Sequence, residues 1–402
     1  MIDAGFLLAV LAMLLVGKIL GDLVKRLGFS PLIGQMLAGI ILGPMLLNLV
    51  PINHEIELLT TLGILFMMFY MGLSIDIEKV MGQNVYGFVV LSVFGGTLTF
   101  FVTATVTALL GFSLNTVLLV GISFISTSTA IGFMVLNEIG DIRSKVYKTV
   151  IAVGISDDIY AIVALALFTS YLTTGVDIRS AFMLFLLVLG FIIMVLGFGK
   201  SITSKLINYA RRTQDDQSII AFSIILLFLV AFLSQSVGIA SVTGAFLAGT
   251  ILARSPLSFK VITPKIEAIT EGFFVPLFFV ITGVRINIFE ILSSESVDLM
   301  IASIPIDVVL FLGLLMAVMV SKYVGTYLAT TFMGGYKDSD HHKMAISMMP
   351  MGEYTLVIGQ IGLITYIGGA PILGESTYSV LALIVLVSSI IVPIMLRAAY
   401  GK

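Results

Sequence analysis

The sequence predicts an all-α polytopic membrane protein, and three observations carry that prediction. Hydrophobic residues make up 59 % of the 402 positions and charged residues 11 %, against about 25 % charged in a soluble domain. The apolar residues fall in long runs without strand-like alternation, which suits helices and excludes a β-barrel. Basic residues gather in alternate connections between those runs, the pattern of multi-pass membrane chains. A water-soluble enzyme is excluded, because 21 basic and 23 acidic side chains are too few to cover such a chain in water. A net charge of −2 gives no nucleic-acid footprint, and zero cysteine removes disulfides and thiolate metal sites.

At about 20 residues per span, thirteen transmembrane helices are expected, at about 4–21, 31–50, 58–74, 84–110, 115–136, 145–171, 180–200, 217–233, 236–253, 270–284, 300–332, 344–366 and 378–398. The first follows Met1-Ile2-Asp3 without the basic stretch of a cleaved signal, so it is read as a retained span. Lys18, near its end, snorkels to the interface. The seventh run, 180–200, links two halves, and Arg211-Arg212-Thr213-Gln214-Asp215-Asp216 marks the polar connection after it. The eleventh is too long to stand upright in a bilayer and must tilt, protrude or be irregular. The stretch holding His341 and His342 reads as a solvated loop. No connection is long enough for a soluble regulatory domain.

Charge orients this count. Of 21 basic residues, seventeen follow odd-numbered runs, only Arg179 and Arg285 follow even-numbered ones, and Lys18 and Lys322 fall inside runs. The asymmetry places the N-terminus outside and the C-terminus in the cytoplasm, as a multi-pass protein of the plasma membrane.

Ionisable groups inside spans are costly and therefore point to function. Asp157 and Asp158 lie in the sixth run, with Asp157 about 13 Å beyond Lys148 along a helix rising ~1.5 Å per residue, near the midplane. Adjacent positions point roughly 100° apart on a helix, so the two carboxylates meet different partners. Ser126-Thr127-Ser128-Thr129 in the fifth run reads as an unwound segment offering oxygens to a cation. Pro350, Gly352 and Glu353 break the twelfth run, and Glu353 is expected to offset the positive half-helix ends that meet there. Broken helices seven runs apart predict inverted-topology repeats, about 1–171 and 217–398, with two crossed discontinuous helices. Lys322, deep in the eleventh run, is expected to pair with an aspartate across the bundle.

Together these residues resemble the second group of monovalent cation/proton antiporters, with the NhaA-like fold of prokaryotic sodium/proton antiporters. The resemblance rests on the hydroxyl-rich fifth run, Asp157-Asp158, Gly272-Phe273-Phe274-Val275-Pro276-Leu277-Phe278-Phe279, Lys322 and Gly352-Glu353, in that order. It implies a core ion-binding domain and a dimerisation domain, in a homodimer working by elevator-like alternating access. It further implies that Asp158 is the essential ion-binding carboxylate, that Asp157 pairs with Lys322, and that Thr127 and Ser128 lie near the ion. Electrogenic exchange of Na⁺, with Li⁺ as a further cargo, for H⁺ follows from the resemblance, with no cofactor. Met351 departs from it, since many relatives carry a basic residue before Gly-Glu. Potassium/proton exchange and sodium-coupled symport of an organic anion are the alternatives on a similar fold. An intramembrane hydrolase fits poorly, because its two aspartates face each other from separate spans.

Overall fold

The computed structural model describes residues 4–74, 85–141, 144–174, 216–255, 258–299 and 302–401, with five isolated positions between 186 and 197. The helices are α1 (Ala4–Arg26), α2 (Pro31–Leu42), α3 (His54–Ser74), α4 (Val85–Leu109), α5 (Leu114–Ser123), α6 (Thr129–Ile139), α7 (Lys145–Thr174) and α8 (Asp216–Ser236). They continue with α9 (Ser241–Ala253), α10 (Thr263–Ile269), α11 (Val275–Arg285), α12 (Ile288–Ser293), α13 (Ile306–Met333), α14 (Asp338–Ser347), α15 (Glu353–Ile364) and α16 (Glu375–Ala399). Wider, π-helical turns at Ser258–Ile262 and Thr270–Phe274 flank α10. Two small antiparallel hairpins pair β1 (Ser296–Leu299) with β2 (Ala302–Pro305) and β3 (Tyr366–Ile367) with β4 (Ala370–Pro371). Gly368 and Gly369 turn the second at φ 62° and 89°, a left-handed pair that glycine adopts freely.

The expectation of thirteen spans is corrected. Among the described residues, eight helices are long and apolar enough to cross a membrane, and four apolar helices of 10–17 residues are too short to count as such. Hydropathy averages over breaks that backbone geometry does not cross. The run at 31–50 is helical only to Leu42, where Gly43 and Pro44 open a turn. The runs at 115–136 and 344–366 are each interrupted, at 124–128 and at 348–352. The inverted-repeat arrangement of spans depends on the count of thirteen and falls with it. The expected linker span at 180–200 and the polar connection at 201–215 lie outside the described residues, apart from isolated positions.

Two further differences have local causes. The overlong eleventh run is a 28-residue helix, α13, preceded by strand β2; at ~1.5 Å per residue it is about 42 Å long, longer than the ~30 Å hydrocarbon core. The polar stretch with His341 and His342 is not a loop but the start of α14, where Asp338 and Asp340 complement the positive helix end. His341 is buried, with Nδ1 3.0 Å from Thr330 Oγ1, and His342 Nδ1 lies 2.5 Å from the Tyr323 hydroxyl.

The chain divides into two compact units: unit 1, Met1–Ile52, Gly82–Ala161 and Phe279–Lys402, and unit 2, Asn53–Met81 and Ile162–Phe278. Unit 2 is organised around α9, whose residues Val242–Ala253 are all buried. Its backbone touches that of α3: a methyl added at Gly72 would stand 2.1 Å from Phe246 O, and one at Gly249 2.1 Å from Phe69 O. Phe66 stacks on Phe274 with ring centroids 4.5 Å apart. In unit 1, α4 and α13 approach closely, a methyl at Gly325 standing 3.0 Å from Gly95 Cα. Ser321 donates to Thr99 across this contact at 3.2 Å. A buried apolar cluster including Leu136, Val150, Met319, Met344, Met348 and Leu396 gathers α6, α7, α13, α14 and α16 beside the two interruptions.

Candidate functional site

All six residues singled out in the sequence lie in unit 1, around the two interrupted segments. Helix α5 starts where Ser113 caps it, accepting from Thr116 N at 3.3 Å, and stops at Ser123. Between α5 and α6 the chain is non-helical, and there it meets the second interruption directly: Ser128 N donates to Pro350 O at 2.8 Å. Thr355, in the first turn of α15, donates to Ser123 O at 2.9 Å, and Met351 N donates to Ser388 Oγ of α16 at 3.1 Å. Backbone groups freed by the interruptions are thus satisfied by the opposite segment, by the first turn of α15 and by α16, as an interior without water demands. The approach leaves no room for a side chain at Gly352, where a methyl would stand 2.6 Å from Ser128 Cβ.

Helix α7 carries the two aspartates to these interruptions, and they part company as helix geometry requires. Asp157 is buried, and its Oδ2 accepts from Thr127 Oγ1 at 2.9 Å and from Lys322 Nζ at 3.2 Å. Asp158 is partly buried, and its Oδ1 accepts from Ser126 Oγ at 2.6 Å. Lys322 Nζ also donates to Ile125 O, placing a positive charge just beyond the C-terminal, negative end of α5. Glu353 is the first residue of α15, at the positive end of that helix, within electrostatic reach of Asp158. Met351, where a basic residue is expected, buries its side chain completely. Burying an ammonium and a carboxylate costs several kcal/mol per ion, offset only when pairing and hydrogen bonds are good.

Several oxygens are left over. Ser128 Oγ, Asp157 Oδ1 and the Tyr354 hydroxyl are buried without a hydrogen-bond partner. Each such group costs about 1–3 kcal/mol. Sequence reading passed over Ser126 as a partner of Asp158, the Ile125 carbonyl, Tyr354 and Ser388. Ser126 and Ser388 were visible as hydroxyls in apolar runs, whereas a backbone carbonyl has no sequence signal.

Carboxylates, hydroxyls and one lysine are packed together where two apolar segments leave the helix. Oxygen-only donors suit a small hard cation. The comparisons name the family. The model for "Sodium/hydrogen exchanger, transmembrane" matches residues 10–400, and the chain belongs to that family. It is a multi-pass secondary active Na⁺/H⁺ antiporter, not an enzyme, within the broader superfamily of monovalent cation/proton antiporters. It is 25 % identical over 397 residues to the Na(+)/H(+)-K(+) antiporter GerN of Bacillus cereus, covering 98 % of this chain and 96 % of that one. A Na(+)/H(+) antiporter of Enterococcus hirae is 26 % identical over 400 residues, with 97 % of each chain covered. The solved sodium proton antiporter MjNhaP1 of Methanocaldococcus jannaschii superposes with a TM-score of 0.69 at 15 % identity, covering 97 % of this chain and 95 % of that one. That likeness shows the fold alone.

Proposed function

We propose that Asp158 is the carboxylate through which this antiporter trades Na⁺ for H⁺, with Asp157 and Lys322 as the coupled pair. The observation that carries this reading is the Asp157–Lys322 contact at 3.2 Å, beside oxygens that have no internal partner. A proton on Asp158 removes the charge that holds Na⁺, so the two cargoes occupy the site in turn. When Na⁺ draws Asp157 Oδ1 and Ser128 Oγ inward, the attraction between Asp157 and Lys322 weakens and the lysine releases its proton. Coupling then comes from exclusive occupancy. Charge on the lysine makes exchange electrogenic, and the aspartate pair supports membership of the second antiporter group. Elevator-like movement of a core domain in a homodimer is part of the same reading.

The basic ends of unit 1 support an orientation. Arg397 donates to Gly28 O at 2.5 Å and to Glu138 at 2.8 Å, Tyr400 donates to Asp141 at 2.5 Å, and Lys343 Nζ sits 4.2 Å from the Tyr400 ring centroid. These contacts draw the ends of α1, α6 and α16 together with the middle of α14, and Lys25 and Arg26 close α1. By the positive-inside rule this end faces the cytoplasm and the N-terminus lies outside. The B. cereus relative carries K⁺ in its name, which makes K⁺ the second cation to test.

Proteoliposomes holding a pH-sensitive dye, challenged with Na⁺, Li⁺ and K⁺ with and without an imposed potential, test the reading. Asp158→Asn is expected to abolish Na⁺-driven proton movement; retained flux places the ion site elsewhere. A potential that leaves the rate unchanged removes electrogenicity.

A further inference from the structure

At the basic end of unit 1, α4, α7 and the turn after α13 enclose a cavity of about 230 Å³ that plays no part in the exchange site. Such a volume is below the roughly 300–1,000 Å³ of pockets for drug-sized ligands and suits a compact polar group. Its polar lining is Lys145, Lys148, Thr149 and Tyr336, and Phe88 and Met333 form its apolar walls. The geometry points to a headgroup site for an anionic phospholipid, its phosphate held between Lys145 and Lys148.

Three observations carry the assignment. First, the cationic lining lacks acidic partners: neither Lys145 nor Lys148 forms an ion pair with a carboxylate among the described residues. No carboxylate lines the cavity, and Asp141 and Asp340 accept from the Tyr400 hydroxyl at 2.5 Å and from Lys337 N at 3.4 Å. Second, the lining is held in place. Lys145 Nζ donates to Gly335 O at 2.6 Å and lies 3.9 Å from the Tyr336 ring centroid, while the Thr149 and Tyr336 hydroxyls are 3.0 Å apart. An ammonium has three donors, so Lys145 keeps capacity for a phosphate oxygen, and each hydroxyl retains a lone pair or proton.

Third, the surroundings are those of a lipid. Phe332, beside Met333 at the end of α13, is 83 % exposed, and Val89, Val90 and Val93 in the first turns of α4 are also exposed. Apolar side chains open on the outside of two membrane-spanning helices suit acyl chains, while the lysines face the headgroup layer. Basic pockets at the end of transmembrane helices take anionic headgroups, with about 1 kcal/mol per lysine near the surface. The site joins the start of α7, which carries both aspartates, to the end of α13, which carries Lys322. An occupant there would tie those helix ends together.

The test uses the full chain in neutral detergent, with bound lipid counted by native mass spectrometry and stability followed by thermal unfolding. Phosphatidylglycerol is expected to bind and raise the melting temperature, with phosphatidylcholine doing neither at equal concentration. Lys148→Gln, which breaks no side-chain hydrogen bond or ion pair among the described residues, is expected to weaken phosphatidylglycerol binding about fivefold, and Lys145→Gln/Lys148→Gln more strongly, from ~1 kcal/mol per lysine. Unchanged phosphatidylglycerol affinity in both variants overturns the site. A melting shift from glycerol phosphate equal to that from the lipid also overturns the lipid assignment, leaving a site for free phosphate.

Discussion

Two of the ion pairs in unit 1 are built on opposite terms. Lys322 and Asp157 are both shut away from solvent, with side chains 2 % and 3 % exposed. Arg285, the last residue of α11, is as deeply buried, but its partner Glu375, at the start of α16, is 52 % exposed. Solvent and salt screen such a half-exposed contact, and ion pairs of that kind are worth about 1 kcal/mol or less. The sequence suggested that Arg285 sits in a connecting loop; instead its backbone carbonyl accepts from Ser379 at 2.7 Å, locking α11 to α16. The Lys322–Asp157 pair has no such insulation from change. Each charge there is tolerated only while the other persists, so an added cation or proton must rearrange the pair. The difference is one of response to an added charge: a buried pair with spare oxygens must rearrange, and a half-exposed one is a staple.

Replacing Lys322 by methionine is the strongest way to break this contrast. Removing one partner strands Asp157, and a loss of ~3–5 kcal/mol of stability is expected. Adding Asp157→Asn should restore most of it, which thermal unfolding of the single and double variants checks. Ser126→Ala takes the 2.6 Å donor from Asp158. A hydrogen bond to a charged group is worth about 1.5–3 kcal/mol, so the apparent KM for Na⁺ should rise about tenfold or more, with little change in melting temperature. Gly352→Ala sets a methyl against Ser128, and overpacking of about 1–3 kcal/mol should appear together with lost flux. Gly374→Ala, whose added methyl would meet nothing within 4 Å, should do neither. Least of all, Glu375→Gln is expected to cost under ~1 kcal/mol and leave transport rates intact. A larger loss there would make the second pair more than a staple.

The candidate residues were legible because they were expensive. A charged side chain at mid-bilayer costs about 2.5–3.5 kcal/mol on insertion scales, so Asp157, Asp158, Lys322 and Glu353 stand out against an apolar background. Their partnerships were less legible. Thr127 reaches Asp157 and not Asp158, Ser126 takes Asp158, and Ser128 contributes a backbone bond to Pro350 while its hydroxyl stays unpartnered. Helix periodicity separates neighbouring aspartates but does not say which hydroxyl each meets. Span counting failed for a related reason, since hydropathy is summed over a window and carries no record of where the backbone turns. Four apolar runs therefore passed for full spans although their helices are short.

Composition and the long non-alternating apolar runs settled that this chain lives in a membrane as helices, because too few charges exist to solvate it and a barrel strand would alternate. The position of each rare polar residue followed from the same scarcity. Only the tertiary structure decided where α5 and α14 stop and which partner each aspartate meets. Those endpoints are fixed by contacts such as Thr355 to Ser123 O, 232 residues apart in the chain. No local propensity encodes such a contact, since it forms only when two interrupted segments satisfy each other's backbone in the absence of water.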